Sequence, residues 1–259
     1  MMRISHFSTK KQDFIKNSEK GSVIIWILVA IALFAALNYA VSKGTRSGAT
    51  TITKEKAAVA ASEIIDYGRA LKQAVQTLQI NGCSDTDVSF QNAVVAGYSH
   101  TADTSCHIFH PNGGGMNYLT PHDEWVDGVN TAQTHYQTWY TTSNSWVLGL
   151  GTDGSGSNCS GGAGDSSCRE LITGVPFIRE EICIEINKKL GVGADSAGTP
   201  YQDTGNSYSS PVSTFVGTYS TSGNQMGNAT PSNYSNIMAG CIEGDSIAGY
   251  SFFQVLIVR

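Results

Sequence analysis

Six cysteines, a scatter of histidines and two oxygen-rich stretches are the side chains able to do chemistry in this chain of 259 residues. Cys83, Cys106, Cys159, Cys168, Cys183 and Cys241 all lie beyond residue 80. An even cysteine count on one side of the chain reads as disulfides formed in an oxidising compartment. Sequence proximity pairs Cys83 with Cys106 and Cys159 with Cys168, and elimination then leaves Cys183 with Cys241. Each bridge would contribute about 2–4 kcal/mol. His107 and His110 stand three apart, with His100, His122 and His135 nearby in sequence. Zinc needs three or four convergent ligands, which H-x-x-H alone does not supply, so these read as surface histidines flanking a disulfide. Asp153, Ser155 and Ser157 place oxygens at alternate positions, as a calcium loop does, and Asp165 could add another. The twelfth position of that loop is Gly164 and not a bidentate Glu. A solvated loop is therefore expected, with those four residues the only calcium candidates and no cofactor required. Asp123, Glu124 and Asp127 form another acidic group, expected to be a solvated face.

Catalytic constellations are largely missing. Gly244-Asp245-Ser246-Ile247 resembles the nucleophile block of GDSL-type hydrolases, but no histidine follows Ser246 to complete such a site. A turn before the last strand is the better reading. No G-x-S-x-G elbow and no G-x-x-x-x-G-K-[ST] phosphate loop occurs. No catalytic residue is assigned, and the chain is not expected to be an enzyme.

The elements that carry these residues follow from composition and charge. The chain is 41% hydrophobic but only 14% charged, against about 25% in an ordinary soluble domain. Glycine (28 residues), Ser, Thr, Asn and Tyr take that place, a composition of long ordered loops and not of disorder. Residues 1–20 carry five positive and two negative side chains, a net of +3, whereas residues 44–259 carry 10 Lys and Arg against 19 Asp and Glu, a net of −9. An acidic body lacks the clustered cations that nucleic-acid phosphates require, so no nucleic-acid partner is expected.

Between Ser22 and Val41 the chain reads SVIIWILVAIALFAALNYAV, without a charge, between Lys20 and Lys43. As a helix this spans about 30 Å, the thickness of a bilayer's hydrocarbon core. Ser22, Trp26, Asn38 and Val41 mark the span. The basic stretch before it should stay in the cytoplasm and place residues 44–259 outside, where all the cysteines lie. A lone span rules out a transporter. A cleaved secretory signal would need a shorter apolar run, and the small-residue triplet Ala30-Ile31-Ala32 sits inside this one. A plain uncleaved anchor is a second reading.

A third rests on the residues just before the span. A basic leader ending in Glu19-Lys20-Gly21, then at once the apolar run, then a long amphipathic helix, resembles the class III signal of type IV pilins and of the pseudopilins of type II secretion. That resemblance, over the leader and roughly residues 16–80, implies prepilin-peptidase cleavage between Gly21 and Ser22 and N-methylation of the new terminus. It also implies assembly of the helix with other subunits into a filament from the bacterial inner membrane, with the C-terminal domain periplasmic or extracellular. Calcium in loops like that at Asp153 occurs in such proteins. Two positions depart from the family: Ser22 stands where Phe is usual and Trp26 where Glu is usual. The family's Glu is thought to pair with a neighbouring subunit's amino terminus, so Trp26 points toward a tip subunit or a divergent lineage.

Beyond Gly44 and Gly48, Ala57, Ala61, Ile64, Gly68, Leu71, Val75 and Leu78 recur at helical spacing from Lys54 to Ile80, and Asn81-Gly82 gives a stop. Pro111–Gly115 reads as a turn, Trp139–Leu150 as two short strands about a Ser/Asn turn, and Pro176–Leu190 as a helix. Residues 195–236 read as an exposed loop or edge region, and Ser251–Arg259 as a buried strand. The expected organisation is a leader (1–21), a transmembrane helix (22–43), its amphipathic continuation (44–82) and an extracytoplasmic domain (83–259). The expected fold is α+β and type IV pilin-like, the long helix packed on a small antiparallel sheet closed by disulfides. The functional expectation is a filament subunit. The alternative is a minor or tip subunit, or a membrane-anchored binding protein, that adheres through its Tyr/Ser/Asn-rich surface.

Overall fold

A computed structural model describes residues 25–34, 53–151, 168–195, 197–203, 213–219, 224–226, 234–244 and 249–259. The chain divides into two units, Met1–Thr51 and Ile52–Arg259. In the first, residues 25–34 are helical. The segment that would join this stretch to residue 53 as the expected continuous helix lies outside the described residues.

The second unit is α+β. Helix α1 (Lys54–Ile80) begins at Thr53, whose backbone is extended and whose hydroxyl accepts from the Lys56 N–H at 3.4 Å, an N-cap that satisfies one of the free amides of the first turn. It ends at Asn81-Gly82, where Gly82 takes a φ of 101° that favours glycine. All seven residues of the expected stripe are buried, joined by Ala60, Ile65 and Ala74. Burial of one face, more than helix propensity, holds such an element in place.

That face lies on a six-stranded sheet formed by β1 (Tyr140–Val147), β2 (Glu170–Ile178), β3 (Gln202–Asp203), β4 (Asn224–Met226), β5 (Ala239–Gly244) and β6 (Tyr250–Ile257). The order is β3-β5-β6-β2-β1-β4. The four central strands pair antiparallel, as expected, while short β3 and β4 add to the two edges in parallel. Successive side chains point to opposite faces, so Phe252 joins the core under α1 and Phe253 joins a second cluster with Tyr140, Val147, Ile172, Met226 and Tyr234. Both faces are covered, which is why β1 and β2 are buried along their whole length. The 195–236 segment, expected to be exposed, supplies part of that cover through Phe215, Met226 and Tyr234 as well as both edge strands.

Two further local expectations are corrected. Residues 140–147 are one strand, not two strands about a turn. Ser143 and Asn144 form a bulge, where the register against β2 shifts between Thr142 and Ser145. Their polar side chains are satisfied on the spot, the Ser143 hydroxyl donating to the Thr218 carbonyl at 2.6 Å and Asn144 bonding Thr142, so the chain need not turn. Pro176 does not open a helix either; it lies in β2, at the register shift between Val175 and Ile178. A bulge leaves a residue without a ladder bond, which suits a residue lacking an N–H. Phe177 beside it has a φ of 59°. Helix α2 (Glu180–Leu190) follows, with Glu180 and Glu181 in its first turn, Lys188 and Lys189 in its last, and Gly191 left-handed at its end.

Two disulfides tie these pieces together. Cys83–Cys106 fastens the end of α1 to the loop that follows, and Cys183–Cys241 joins α2 to β5. Both match the expected pairing. Cys168 is disulfide-bonded too, and Cys159, its expected partner, lies outside the described residues. Asn187 reinforces the second junction, donating to the Cys241 carbonyl at 2.7 Å and accepting from its N–H at 2.8 Å.

Candidate functional site

Among the described residues, 25–34 form a continuous run of exposed apolar side chains. Trp26 is 71% exposed, Phe34 67% and Leu33 66%, and Ile25, Ile27, Leu28, Val29 and Ile31 are exposed as well. These residues are apolar all round, unlike α1, whose Lys54, Glu55, Glu63 and Gln76 lie off the buried stripe. A helix without a polar face is found buried in a large core or in lipid, because water is a poor solvent for every side of it. Among the described residues no helix is long and apolar enough to cross a membrane, and the described part of the expected span is ten residues long. Gly21, Ser22, Asn38 and Val41 lie outside the described residues.

A second notable feature is a buried Arg-Glu dipeptide where β1 ends and β2 begins. Arg169 and Glu170 are both fully buried. The Arg169 guanidinium stacks on the Trp146 ring at 3.8 Å, an attractive arrangement for a cation on an indole face. One oxygen of Glu170 accepts from the Val147 N–H at 2.9 Å. The other makes no hydrogen bond. Burial is the larger influence on this carboxyl and pushes it up to about 8, against the Val147 and Glu170 amides and the Arg169 charge, which pull it down. Glu170 therefore holds its proton through most of the neutral range, and its function here is to fix the end of β1. Sequence reading missed this pair because nothing about an isolated Arg-Glu dipeptide announces burial.

A set of tyrosines organises the loops between α1 and β1. The Tyr67 hydroxyl, on α1, donates to the Asn117 carbonyl and accepts from the Leu119 N–H, both at 3.0 Å. Tyr118 accepts from the Trp139 N–H at 2.8 Å, and Tyr98 from the Thr141 N–H at 2.7 Å. Burial pushes the Tyr67 phenol up to about 12, and raises Tyr98 and Tyr118 as well. These phenols act as neutral hydrogen-bonding posts.

The other singled-out residues are dispersed. His107 is buried beside the Cys83–Cys106 bridge, with Nε2 3.1 Å from the Thr101 carbonyl oxygen, and its ring lies 6.3 Å from that of His110. His100 packs on Phe215 and His122 on Trp125. His135 packs near Tyr140, where burial lowers its proton affinity. Among the described residues no three His, Cys, Asp or Glu side chains gather as a metal would require. The calcium candidates Asp153, Ser155, Ser157 and Asp165 lie outside the described residues, as do Asp245 and Ser246. Asp123 and Glu124 are exposed, as expected of a solvated face; Asp127 caps a short 3-10 turn by accepting from the Val129 N–H at 3.2 Å.

No known family model, curated protein or solved structure matches this chain.

Proposed function

We propose that this chain is a structural subunit of a type IV pilus-like or type II secretion pseudopilus-like filament, held in the bacterial inner membrane before assembly and processed after Gly21. The observation that carries the reading is the uninterrupted apolar surface of residues 25–34, which requires lipid or neighbouring helices as cover. Three features support it. The charge-free segment extends from Ser22 to Val41 beyond the described ten residues. The leader before it is basic and ends in glycine. The domain that follows packs one long helix against a disulfide-tied sheet, a construction suited to exposure outside the cell. Lipid would cover the apolar helix before assembly, and the small residues Ala30, Ala32, Ala35 and Ala36 would let helices approach closely afterwards.

Trp26 favours a second reading, a tip subunit or a membrane-anchored binding protein that does not form the filament body. An indole needs no charged partner from a neighbouring subunit and packs equally well among lipid tails. Mass spectrometry of the chain isolated from its host's membranes separates these ideas from an unprocessed anchor. The expected mature protein starts at N-methylated Ser22. A start at Met1 or Met2 overturns the filament reading. Crosslinking then distinguishes a body subunit from a lone anchor: the first gives a ladder of multimers, and the second gives only monomer.

A further inference from the structure

Two grooves of opposite charge flank α1. The first, of about 800 Å³, lies between the start of α1 and the 120–125 loop. Its floor includes Val59, Pro121 and Trp125, and its walls carry Glu55, Glu63, Asp123 and Glu124 against one lining cation, Lys56. That lysine lies 3.8 Å from Glu124 in an exposed pair of little strength. Arg179 adjoins the groove, where its Nε donates to the Glu124 main-chain oxygen at 3.0 Å. Val59 is 58% exposed on the floor, an apolar side chain on the solvent side of a helix otherwise amphipathic.

The second groove, of about 370 Å³, lies between α1, the end of α2 and β5–β6. Apolar Leu190, Val192 and Met238 line it, and Arg69 and Lys72 supply its charge. Lys188 and Lys189 stand exposed on the adjoining last turn of α2. Two acids pair with these cations, Asp66 at 3.7 Å from Arg69 and Glu185 at 3.3 Å from Lys188; four cations against the two paired acids leave this rim positive.

The two grooves cannot meet within one molecule. At 100° and 1.5 Å per residue, the α1 residues of the two grooves point, on average, about 140° apart around the helix and lie about 18 Å apart along it. We propose that the acidic groove receives the cationic rim of a second copy of this chain, so that Arg69 and Lys72 of one copy face Glu63 and Asp123 of the next. Charge complementarity selects this occupant: the groove is acidic, and the rim with Arg69, Lys72, Lys188 and Lys189 holds four of the nine described Lys and Arg side chains. The contact is heterologous. Each copy uses one surface and leaves the other open, so the pairing propagates instead of closing into a dimer. The axial offset makes successive copies step along the direction of α1. This inference rests on the filament reading and adds to it which surfaces of the domain touch.

The test uses the full chain in its host's membranes, crosslinked in four forms: wild type, Glu63→Lys with Asp123→Lys, Arg69→Glu with Lys72→Glu, and all four changes together. The two reversed forms should each lose multimers above the dimer by about tenfold, and the fourfold form should regain most of them. Raising salt from about 0.05 M to about 0.5 M should thin the wild-type ladder, because rim charges are screened. Formation of Cys183–Cys241, read on non-reducing gels, checks that each variant has folded. If the reversed forms ladder as wild type does, or the fourfold form stays as poor as either alone, the groove pairing is wrong and the filament reading stands. If the wild type gives no ladder, both fail.

Discussion

Replacing Cys183 and Cys241 together by alanine should destabilise the domain more than replacing Cys83 and Cys106. The bridges enclose separations of 58 and 23 residues, and the two loops do not overlap, so their effects on the unfolded chain are independent. Loop-closure entropy gives about 4.2 kcal/mol for the longer loop and about 3.4 kcal/mol for the shorter, a difference of about 0.8 kcal/mol. Burial works in the same direction: Cys183 and Cys241 are fully buried, whereas Cys83 and Cys106 are each 7% exposed, so the first pair also leaves the emptier space. The assay is urea unfolding of the full chain in detergent micelles, followed by the fluorescence of buried Trp125, Trp139 and Trp146. Both double variants should lower the midpoint and steepen the slope, because an unfolded chain freed of a cross-link is less compact. A Cys83/Cys106 variant less stable than the Cys183/Cys241 variant would refute the reasoning. It would mean that the end of α1 depends on its bridge for native geometry, not for loop entropy.

Glu170 predicts an unusual pH dependence. Its carboxyl titrates near 8 when folded, well above its ordinary range near 4.5. Between those values the unfolded state has released a proton that the folded state keeps, so this group's contribution to stability falls as pH rises through that window, by at most about 1.4 kcal/mol per pH unit. Glu170→Gln should flatten this part of a stability-against-pH curve measured by thermal unfolding; an unchanged slope would show that Glu170 is ionised in the fold. Gly68 offers a steric test, since a Cβ there would stand 3.0 and 3.1 Å from the Phe252 ring. Gly68→Leu should cost about 1–3 kcal/mol by overpacking α1 against β6, and a thermal midpoint at or above wild type would show that the helix is free to lift off the sheet.

The clearest signals were periodic or topological. The 4-and-3 spacing from Ala57 to Leu78 selected one side of α1, and that side is the one buried, because helix geometry alone decides which side chains share a face. The pairing of Cys83 with Cys106 followed from proximity, since short loops close readily. The last strand was evident from its apolar run, interrupted only at Gln254, as expected of a strand covered on both faces.

Other features depended on contacts far apart in sequence. Ser143-Asn144 and Pro176 carry turn and helix-start chemistry by local preference, yet both lie in bulged strands. The neighbouring strands supply ladder bonds that outweigh local propensity, and the bulges absorb the misfit. The burial of Arg169 and Glu170 arises where Trp146 and Val147 at the end of β1 meet the start of β2, and no pattern in a dipeptide encodes that meeting. The two charged grooves likewise exist only because α1 is flanked on one side by the 120–125 loop and on the other by the end of α2. The sequence alone decided which residues are apolar and at what period, and hence that one helix lacks any polar face while another has a single buried one. Which charges stand together on a surface was decided by the tertiary structure, because Coulomb interaction depends on distance in space and not on distance along the chain.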